Sequence, residues 1–317
     1  MISGQEPMRD DTHEPVGLDR GIERLESRRD SKEARRMAGT LKGQKVRGWT
    51  EKLLTRTLTG VVYVLLIIGC FFWGVIPTAA LMSAMAWLCC SEFFRICRMA
   101  GRMPNEICGL TFALAFPWVG VLFNMRYLFI GICSLLMWAA IWYVFNPRVN
   151  ISDVAVTVFG PFYTSCTLAC LAMVRASYTG MDGALLALLV IGAMWAEDSF
   201  AYLIGSSLGR HKMAPRISPK KSWEGFYGGL VGSIAVWCVG AAFHICGITW
   251  PLAIAIGVIE GLLAVMGDLF ESRIKRGVGV KDSGNILPGH GGLLDRTDSV
   301  LFGSVVAYFL LLLGGIL

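Results

Sequence analysis

The residue types best suited to chemistry are concentrated between positions 268 and 299, a polar segment that lies between two long apolar runs. The segment contains carboxylates, lysines, arginines and a histidine, and a glycine-rich turn divides it. Carboxylates at helix ends can hold a divalent metal ion, and basic side chains beside them can hold phosphate groups. Because both flanks are apolar, the segment predicts an enzyme that acts on phosphates at a membrane surface.

The carboxylates of this segment fall into two groups that neighbouring helices would bring together. If the helix of the eighth apolar run continues, Asp268, Ser272 and Lys275 lie on one of its faces. Asp295 and Asp298 share a face where the ninth helix begins. Mg²⁺ is bound by a few carboxylate oxygens together with water and phosphate, so we predict a magnesium site at Asp268, Asp295 and Asp298. The alternative is a solvated loop whose charges cap helices and set the topology.

A second polar loop, residues 209–225, has a composition suited to anion binding. Ser218 followed by Pro219 is typical of a helix start, with the serine as N-cap and the proline at the first helical position. Lys220 and Lys221 beside such a helix start would form an anion site. The alternative is a group of positive charges that anchors the loop on the cytoplasmic side of a membrane.

Two carboxylates, Glu197 and Asp198, lie inside the sixth apolar run. Ionisable groups inside a membrane are costly, so each is a functional candidate. Asp198 and Tyr202 share a helix face, which predicts a polar pocket that reaches into the bilayer. The alternative is a structural hydrogen bond to a neighbouring helix. Glu92 and Glu260 are further acids at membrane depth and have no assigned role.

The composition of the whole chain is that of a helical membrane protein. Hydrophobic residues make up 55% and charged residues 16% of 317 residues, with a mean hydropathy of +0.58. Spanning helices need about 20 apolar residues each, so we predict an all-α, polytopic integral membrane protein with about nine transmembrane helices. The apolar runs that support this prediction occupy about 58–74, 77–96, 109–123, 126–145, 154–174, 184–205, 226–247, 251–270 and 300–316.

The charges of the loops predict the orientation of the protein. The even-numbered connections between spans are richer in Arg and Lys than the odd-numbered ones, and basic loops stay in the cytoplasm. We therefore expect the N-terminus and both polar loops on the cytoplasmic side of a cell inner membrane or plasma membrane. Residues 1–52 alternate acids and bases, which predicts a disordered tail. The expected division is this tail, N-terminal helices over 53–180 and a catalytic transmembrane region over 181–317.

The charge and the cysteines argue against two other classes of protein. The net charge is +6, but no basic patch outside the loops is interleaved with aromatic residues, so we expect no nucleic-acid partner. The 10 cysteines lie mainly inside apolar runs and form no CxxC pair with matching histidines. We therefore expect buried structural thiols rather than a zinc site.

The last polar segment resembles the hallmark of phosphatidate cytidylyltransferases, also called CDP-diacylglycerol synthases. The matching positions are Ser272, Lys275, Arg276, Lys281, Asp282, Ser283, Gly284, Leu287, Pro288, Gly289, His290, Gly291, Gly292, Asp295, Arg296 and Asp298. The stretch upstream of this segment resembles the same family at Asp198, Ala201, Tyr202 and Gly205, at residues 209–211 and at residues 215–225. Together the matches cover about 180–299, and the earlier spans match only in general hydropathy. Ser222 stands where the family more often has Thr, which keeps the hydroxyl.

This resemblance implies transfer of a cytidylyl group from CTP to phosphatidic acid, with CDP-diacylglycerol and pyrophosphate as products and Mg²⁺ as cofactor. The metal ligands carry over onto Asp268, Asp295 and Asp298, and a second metal ion would complete a two-metal clamp. The expected catalytic residues are Asp198, Lys275, Lys281, Asp282, His290 and Arg296. The expected substrate-binding residues are Ser218, Lys220, Lys221, Ser222 and Ser272. The lipid bilayer is a further partner, and a homodimer is left open.

Two other functions are weighed against this one. A CTP-dependent lipid kinase of the polyprenol type also needs a metal ion, CTP and a membrane alcohol, but it releases CDP instead of pyrophosphate. A transporter would spread its acids through several spans near the middle of the membrane, often with repeat symmetry. Here most acids and bases collect in two loops on the same side, which disfavours transport.

Overall fold

The computed structural model describes residues 30–32, 54, 57–286 and 291–317. The predictions made for His290 and for most of residues 1–52 therefore lie outside the described residues. The chain divides into two units, Met1–Thr57 and Leu58–Leu317. The second unit contains the elements described below, from Leu58 onward, and the finer division at residue 180 stays a prediction.

From residue 57 onward, the described residues form nine α-helices, a β-hairpin and a short 3₁₀ turn, Ile245–Gly247. Seven of the helices are long and apolar enough to cross a membrane, whereas the first and third are shorter apolar helices. The all-α, polytopic prediction is confirmed, while the count of nine spans stays a prediction. The helices are α1 (Thr57–Trp73), α2 (Val75–Met99), α3 (Glu106–Leu122), α4 (Met125–Phe145), α5 (Ile151–Ala176), α6 (Gly180–Leu208), α7 (Trp223–Ala242), α8 (Trp250–Gly277) and α9 (Leu294–Leu313).

Each helix coincides with one predicted apolar run, and their ends differ by at most seven residues. Apolar runs form helices because a chain in a lipid bilayer must satisfy its backbone hydrogen bonds internally. A helix does so within one segment. One helix departs from regular geometry: α5 contains a π-helical turn at Phe162–Cys166. The helix of the eighth run continues to Gly277, beyond the apolar residues, and it carries Asp268 and Lys275 with it.

Helices α6, α7, α8 and α9 pack on one another in chain order. Glycines on α7 bring it very close to α6. A Cβ atom at Gly229 would lie 2.6 Å from the Glu197 Oε1 atom, and one at Gly225 would lie 2.8 Å from the Ala201 carbonyl oxygen. Small residues of this kind let two membrane helices approach at backbone distance. The contact therefore fixes the part of α6 that carries Glu197 and Asp198.

A β-hairpin precedes α7. Strand β1 (Lys212–Ala214) pairs antiparallel with strand β2 (Ser218–Ser222). The prediction of a helix that begins at Ser218 is therefore wrong: the helix begins at Trp223, and the Ser222 hydroxyl accepts the capping hydrogen bond from a backbone amide. The segment stays extended because its backbone groups pair with β1, an arrangement that sequence periodicity over five residues could not distinguish from a helix start.

Candidate active site

A cavity of about 550 Å³ lies where the ends of α6, α7 and α8 meet the hairpin. Its volume is within the usual range of small-molecule sites, about 300–1,000 Å³. Asp198 and Tyr202 both line it, which confirms that this face of α6 borders a pocket. The charged side chains in its wall are Glu197, Asp198, Lys212, Lys220, Lys221 and Asp268.

Asp268 connects α8 to the hairpin. The Lys221 Nζ atom lies 2.7 Å from the Asp268 Oδ2 atom. The Ser272 hydroxyl donates to the other carboxylate oxygen of Asp268 at 3.1 Å, which confirms the face shared by Asp268 and Ser272. Lys275 does not extend this contact to Asp268, because its ammonium group pairs with Glu271 and Asp295 instead. One carboxylate of the predicted metal site is thus held at the cavity by a lysine of the predicted anion site.

Asp198 and Asp298 belong to the same charged region. The Ser299 hydroxyl lies 3.4 Å from Asp198 Oδ2, and the Ser299 amide donates to Asp298 Oδ1 at 2.9 Å. Asp198 and Asp298 each interact electrostatically with Asp268. Helices α6, α8 and α9 therefore each contribute one carboxylate to a set that interacts electrostatically.

Asp295 has a different environment, because hydrogen-bond donors surround its carboxylate. Lys275 Nζ donates to Oδ1 at 2.6 Å. The Ser283 amide donates to both oxygens, at 3.1 and 2.9 Å, and the Gly292 amide donates to Oδ2 at 2.9 Å. Asp295 thus ties the loop after α8 to the first turn of α9.

Glu271 belongs to the network of charged side chains at the ends of α8 and α9, and the sequence analysis did not single it out. Its side chain is buried, it pairs with Lys275 one turn further along α8, and it interacts electrostatically with Asp298. The spacing of an acid and a lysine four residues apart was the available signal. That signal is weak, since such pairs are also common on solvated helices.

A second cavity, of about 360 Å³, also has Asp198 in its wall. Its wall combines α1 with α6 and the start of α9. The lining residues are Thr59, Gly60, Tyr63, Val64, Trp195, Asp198, Ser199 and Arg296. Asp198 is thus common to both cavities.

A family model described as the cytidylyltransferase family matches residues 54–313, a range that contains both cavities. This chain belongs to the cytidylyltransferase family. The phosphatidate cytidylyltransferase of Mycobacterium bovis is 40% identical over 168 residues, which are 53% of this chain and 54% of that protein. The phosphatidate cytidylyltransferase of Bacillus subtilis is 46% identical over 120 residues, 38% of this chain and 45% of that protein.

The protein of the same name from Synechocystis is 42% identical over 135 residues, which are 41% of this chain and 44% of that protein. The chain thus spans about half the length of the curated relatives it matches. The family model covers more of the chain than these pairwise matches do, and it includes the N-terminal helices that the sequence analysis matched only in hydropathy.

The remaining residues predicted from the resemblance to the cytidylyltransferase family lie around the two cavities and in the loop after α8. Ser218 and Lys220 line the first cavity, as does Ser222, which also caps α7. Lys281 and Asp282 are exposed in the loop. Arg296 is exposed and lines the second cavity.

Magnesium is implied by the resemblance to phosphatidate cytidylyltransferases, and the residues present fit it. Among the described residues, no three His, Cys, Asp or Glu side chains form a ready-made cage for a metal ion. Mg²⁺ does not require one, since it is usually held by one or two carboxylates together with water and substrate phosphates. Asp198, Asp268 and Asp298 supply such oxygens. Asp268, Asp295 and Asp298 as metal ligands stay predictions, and donors already contact both carboxylate oxygens of Asp268 and of Asp295.

Proposed function

We propose that this chain is a phosphatidate cytidylyltransferase, which uses CTP and phosphatidate to make CDP-diacylglycerol and pyrophosphate with the help of Mg²⁺. The observation that carries the proposal is the position of Asp198, which lines both cavities. One cavity is lined by three lysines and three carboxylates, and the other lies against apolar α1. A reaction between a nucleotide and a lipid requires two such cavities that share the place where the phosphates meet.

The first cavity is the proposed site of CTP. Lys212, Lys220 and Lys221 supply positive charge along its wall, and a triphosphate is the kind of ligand that such charge attracts. Lys221 also contacts Asp268, so the lysine can neutralise phosphate oxygens beside the carboxylate that would hold the metal ion. The family match adds support, because its members transfer cytidylyl groups.

The second cavity is the proposed site of phosphatidate. Tyr63, Val64 and Trp195 give it an apolar wall, and Arg296 gives it a cationic end. Guanidinium groups bind phosphate with paired hydrogen bonds, and acyl chains would remain in the bilayer beside α1. Its neighbours on α1, Val61 and Val62, are exposed, as expected of residues that contact lipid.

The reaction depends more on positioning of the substrates and neutralisation of their charge than on proton transfer. An oxygen of the phosphatidate phosphate attacks the α-phosphorus of CTP, and the bond between that phosphorus and the oxygen of the β-phosphate breaks. When bound, Mg²⁺ would neutralise negative charge on the phosphates during transfer of the cytidylyl group. Asp198, Asp268 and Asp298 would hold it, while Lys221 and Arg296 would align the two substrates. The attacking phosphate is already an anion near neutral pH, so no strong general base is needed.

The orientation follows from the loops and belongs to the same proposal. The hairpin and the loop after α8 carry most of the basic residues near the cavities, and by the positive-inside rule this supports a location on the cytoplasmic side of the inner or plasma membrane. CTP is a cytoplasmic solute, so this orientation gives it access to the first cavity. The homodimer stays a prediction.

The test is product analysis with the purified full chain in lipid nanodiscs. We expect CTP, phosphatidic acid and Mg²⁺ to yield CDP-diacylglycerol, identified by mass spectrometry, and pyrophosphate in equal amounts. Release of CDP with phosphorylation of an added polyprenol, and without CDP-diacylglycerol, would instead identify a lipid kinase. An Asp268→Asn variant is the matched control, and its product should fall at least about 100-fold because the metal loses a carboxylate.

A further inference from the structure

Glu92 lies on α2, in the half of the chain that precedes the recognised motifs, yet it contacts the loop between α8 and α9. Its side chain is 3% exposed. The Leu293 amide donates to Glu92 Oε1 at 3.1 Å, and the Leu294 amide donates to Oε2 at 2.8 Å. The Ser283 hydroxyl also donates to Oε2, at 2.9 Å. One buried carboxylate therefore accepts three hydrogen bonds from residues about 200 positions later.

These contacts make Glu92 the cap of α9. Leu293 is the N-cap residue of α9 and has no capping side chain, although the first amides of a helix need acceptors from outside it. Glu92 supplies both of its carboxylate oxygens to those amides. A negative charge at this position also interacts favourably with the helix dipole. The start of α9 is therefore set by a residue on another helix.

Two glycines of the loop lie so close to the Glu92 carboxylate that a side chain at either position would clash with it. A Cβ atom at Gly284 would lie 2.0 Å from Glu92 Oε1, and one at Gly292 would lie 2.6 Å from Oε2. Any larger residue would push the loop away from Glu92. Gly284 is thus explained by the need for the backbone to close around the Glu92 side chain. Gly292 is explained by close approach to both Glu92 and the Ser283 hydroxyl, which would lie nearer still to a Cβ atom there.

Neighbours of Glu92 on α2 strengthen the same contact. Arg95 donates to the Ser283 carbonyl oxygen, and the Cys89 thiol lies 3.2 Å from the Thr297 hydroxyl. Ser283 is held from two sides, because its hydroxyl donates to Glu92 while its amide donates to Asp295. A movement of the Glu92 side chain would therefore displace Ser283, and with it the amide that donates to Asp295.

We propose that Glu92 is a positioning residue for the transfer reaction: it fixes the loop around Ser283 and the first turn of α9, and through them the directions of Asp295 and Asp298. This inference rests on the proposed function for its catalytic readout. Glu92 itself faces the loop backbone and not a cavity wall in the described structure. Its removal should therefore affect turnover more than binding of CTP.

The test compares Glu92→Gln with Glu106→Gln, a matched acid-to-amide change at an ion pair with Arg98. The amide group introduced by Glu92→Gln has one acceptor oxygen instead of two, so at least one buried backbone amide loses its acceptor. Misplacement of a reacting group by about 1 Å costs about 100-fold in rate. We expect kcat to fall about 10- to 100-fold in Glu92→Gln, with the KM for CTP changed less than about threefold, and no comparable change in Glu106→Gln.

A second variant and a second measurement keep the inference testable if Glu92→Gln folds poorly. Ser283→Ala removes one donor and leaves the carboxylate in place, so it should lower kcat less than Glu92→Gln does. The loss of kcat in the double variant should be smaller than the product of the two single losses.

Trypsin cleavage at the exposed Lys281 should accelerate in Glu92→Gln and not in Glu106→Gln. If the wild-type chain makes no CDP-diacylglycerol, the proposed function fails, while the cleavage result still tests the loop contact. Wild-type kcat and wild-type cleavage in Glu92→Gln would overturn the inference, as would a loss of kcat no greater than the loss of folded protein.

Discussion

The ammonium group of Lys221 lies 2.7 Å from the carboxylate of Asp268, and this ion pair joins the hairpin before α7 to the polar end of α8. Lys221 comes from the loop predicted to bind anions, and Asp268 comes from the segment predicted to bind metal. Their contact places the two predicted chemistries in one cavity. It also means that removal of either residue alters the charge seen by the other.

Lys221→Met should impair the use of CTP. The change removes a positive charge from the cavity wall and leaves Asp268 without its ion-pair partner, so we expect kcat/KM for CTP to fall about 10- to 100-fold. Steady-state kinetics at saturating phosphatidate would measure this. Arg126→Gln is a suitable control, since Arg126 lies at the start of α4. Equal kinetics of the two variants would contradict the assignment of Lys221 to CTP.

Asp298→Asn and Asp295→Asn should differ in stability although both lose activity. Asp298 is proposed to contact the metal ion, so its variant should fold normally and lose product formation at any Mg²⁺ concentration. The Asp295 carboxylate accepts hydrogen bonds from Lys275 and from two backbone amides. Removal of one partner from a largely buried ion pair costs about 3–5 kcal/mol.

Thermal unfolding in nanodiscs would measure the difference between these two variants. We expect a clearly lower Tm for Asp295→Asn than for Asp298→Asn. A wild-type Tm for Asp295→Asn, together with a lost response to Mg²⁺, would instead support Asp295 as a metal ligand.

Arg296→Gln should affect the lipid substrate more than the nucleotide. Arg296 lines the second cavity, where its guanidinium is proposed to bind the phosphate of phosphatidate. We expect the KM for phosphatidate to rise about tenfold, with the KM for CTP unchanged. Kinetics in mixed micelles with varied mole fraction of phosphatidate would measure this. Arg273→Gln, at another exposed arginine, is the control, and a selective rise in the KM for CTP would refute the assignment.

Gly229→Ala should destabilise the packing of α6 on α7. The new methyl group would lie 2.6 Å from Glu197 Oε1 and 2.8 Å from the Glu197 carbonyl oxygen, and overpacking of this kind costs about 1–3 kcal/mol. We expect a lower Tm and a loss of activity, because Glu197 and Asp198 would shift. Gly69→Ala is the control, since nothing lies within 4 Å of a Cβ there. Similar Tm values for both variants would show that the close contact is unimportant.

The helices could be predicted from the sequence, and much of the candidate site could not. Apolar runs predict membrane helices because the hydropathy of a segment and its internal hydrogen bonds are local properties. The helix predicted to begin at Ser218 was wrong, since β2 depends on pairing with β1. Glu92 was missed as part of the polar network because its hydrogen-bond partners lie on other elements. Glu271 was missed because its spacing from Lys275 is also common on solvated helices.

The sequence by itself determined the class of the molecule, the positions of its helices and the residue types available for chemistry, because each of these depends on composition and spacing over a few turns. Only the tertiary structure decided which charges meet. Lys221 pairs with Asp268, Asp295 is enclosed by donors, and Glu92 caps a helix that begins 202 positions later. Such pairings are set by how helices pack, and packing in a membrane depends on small residues and polar contacts between distant segments.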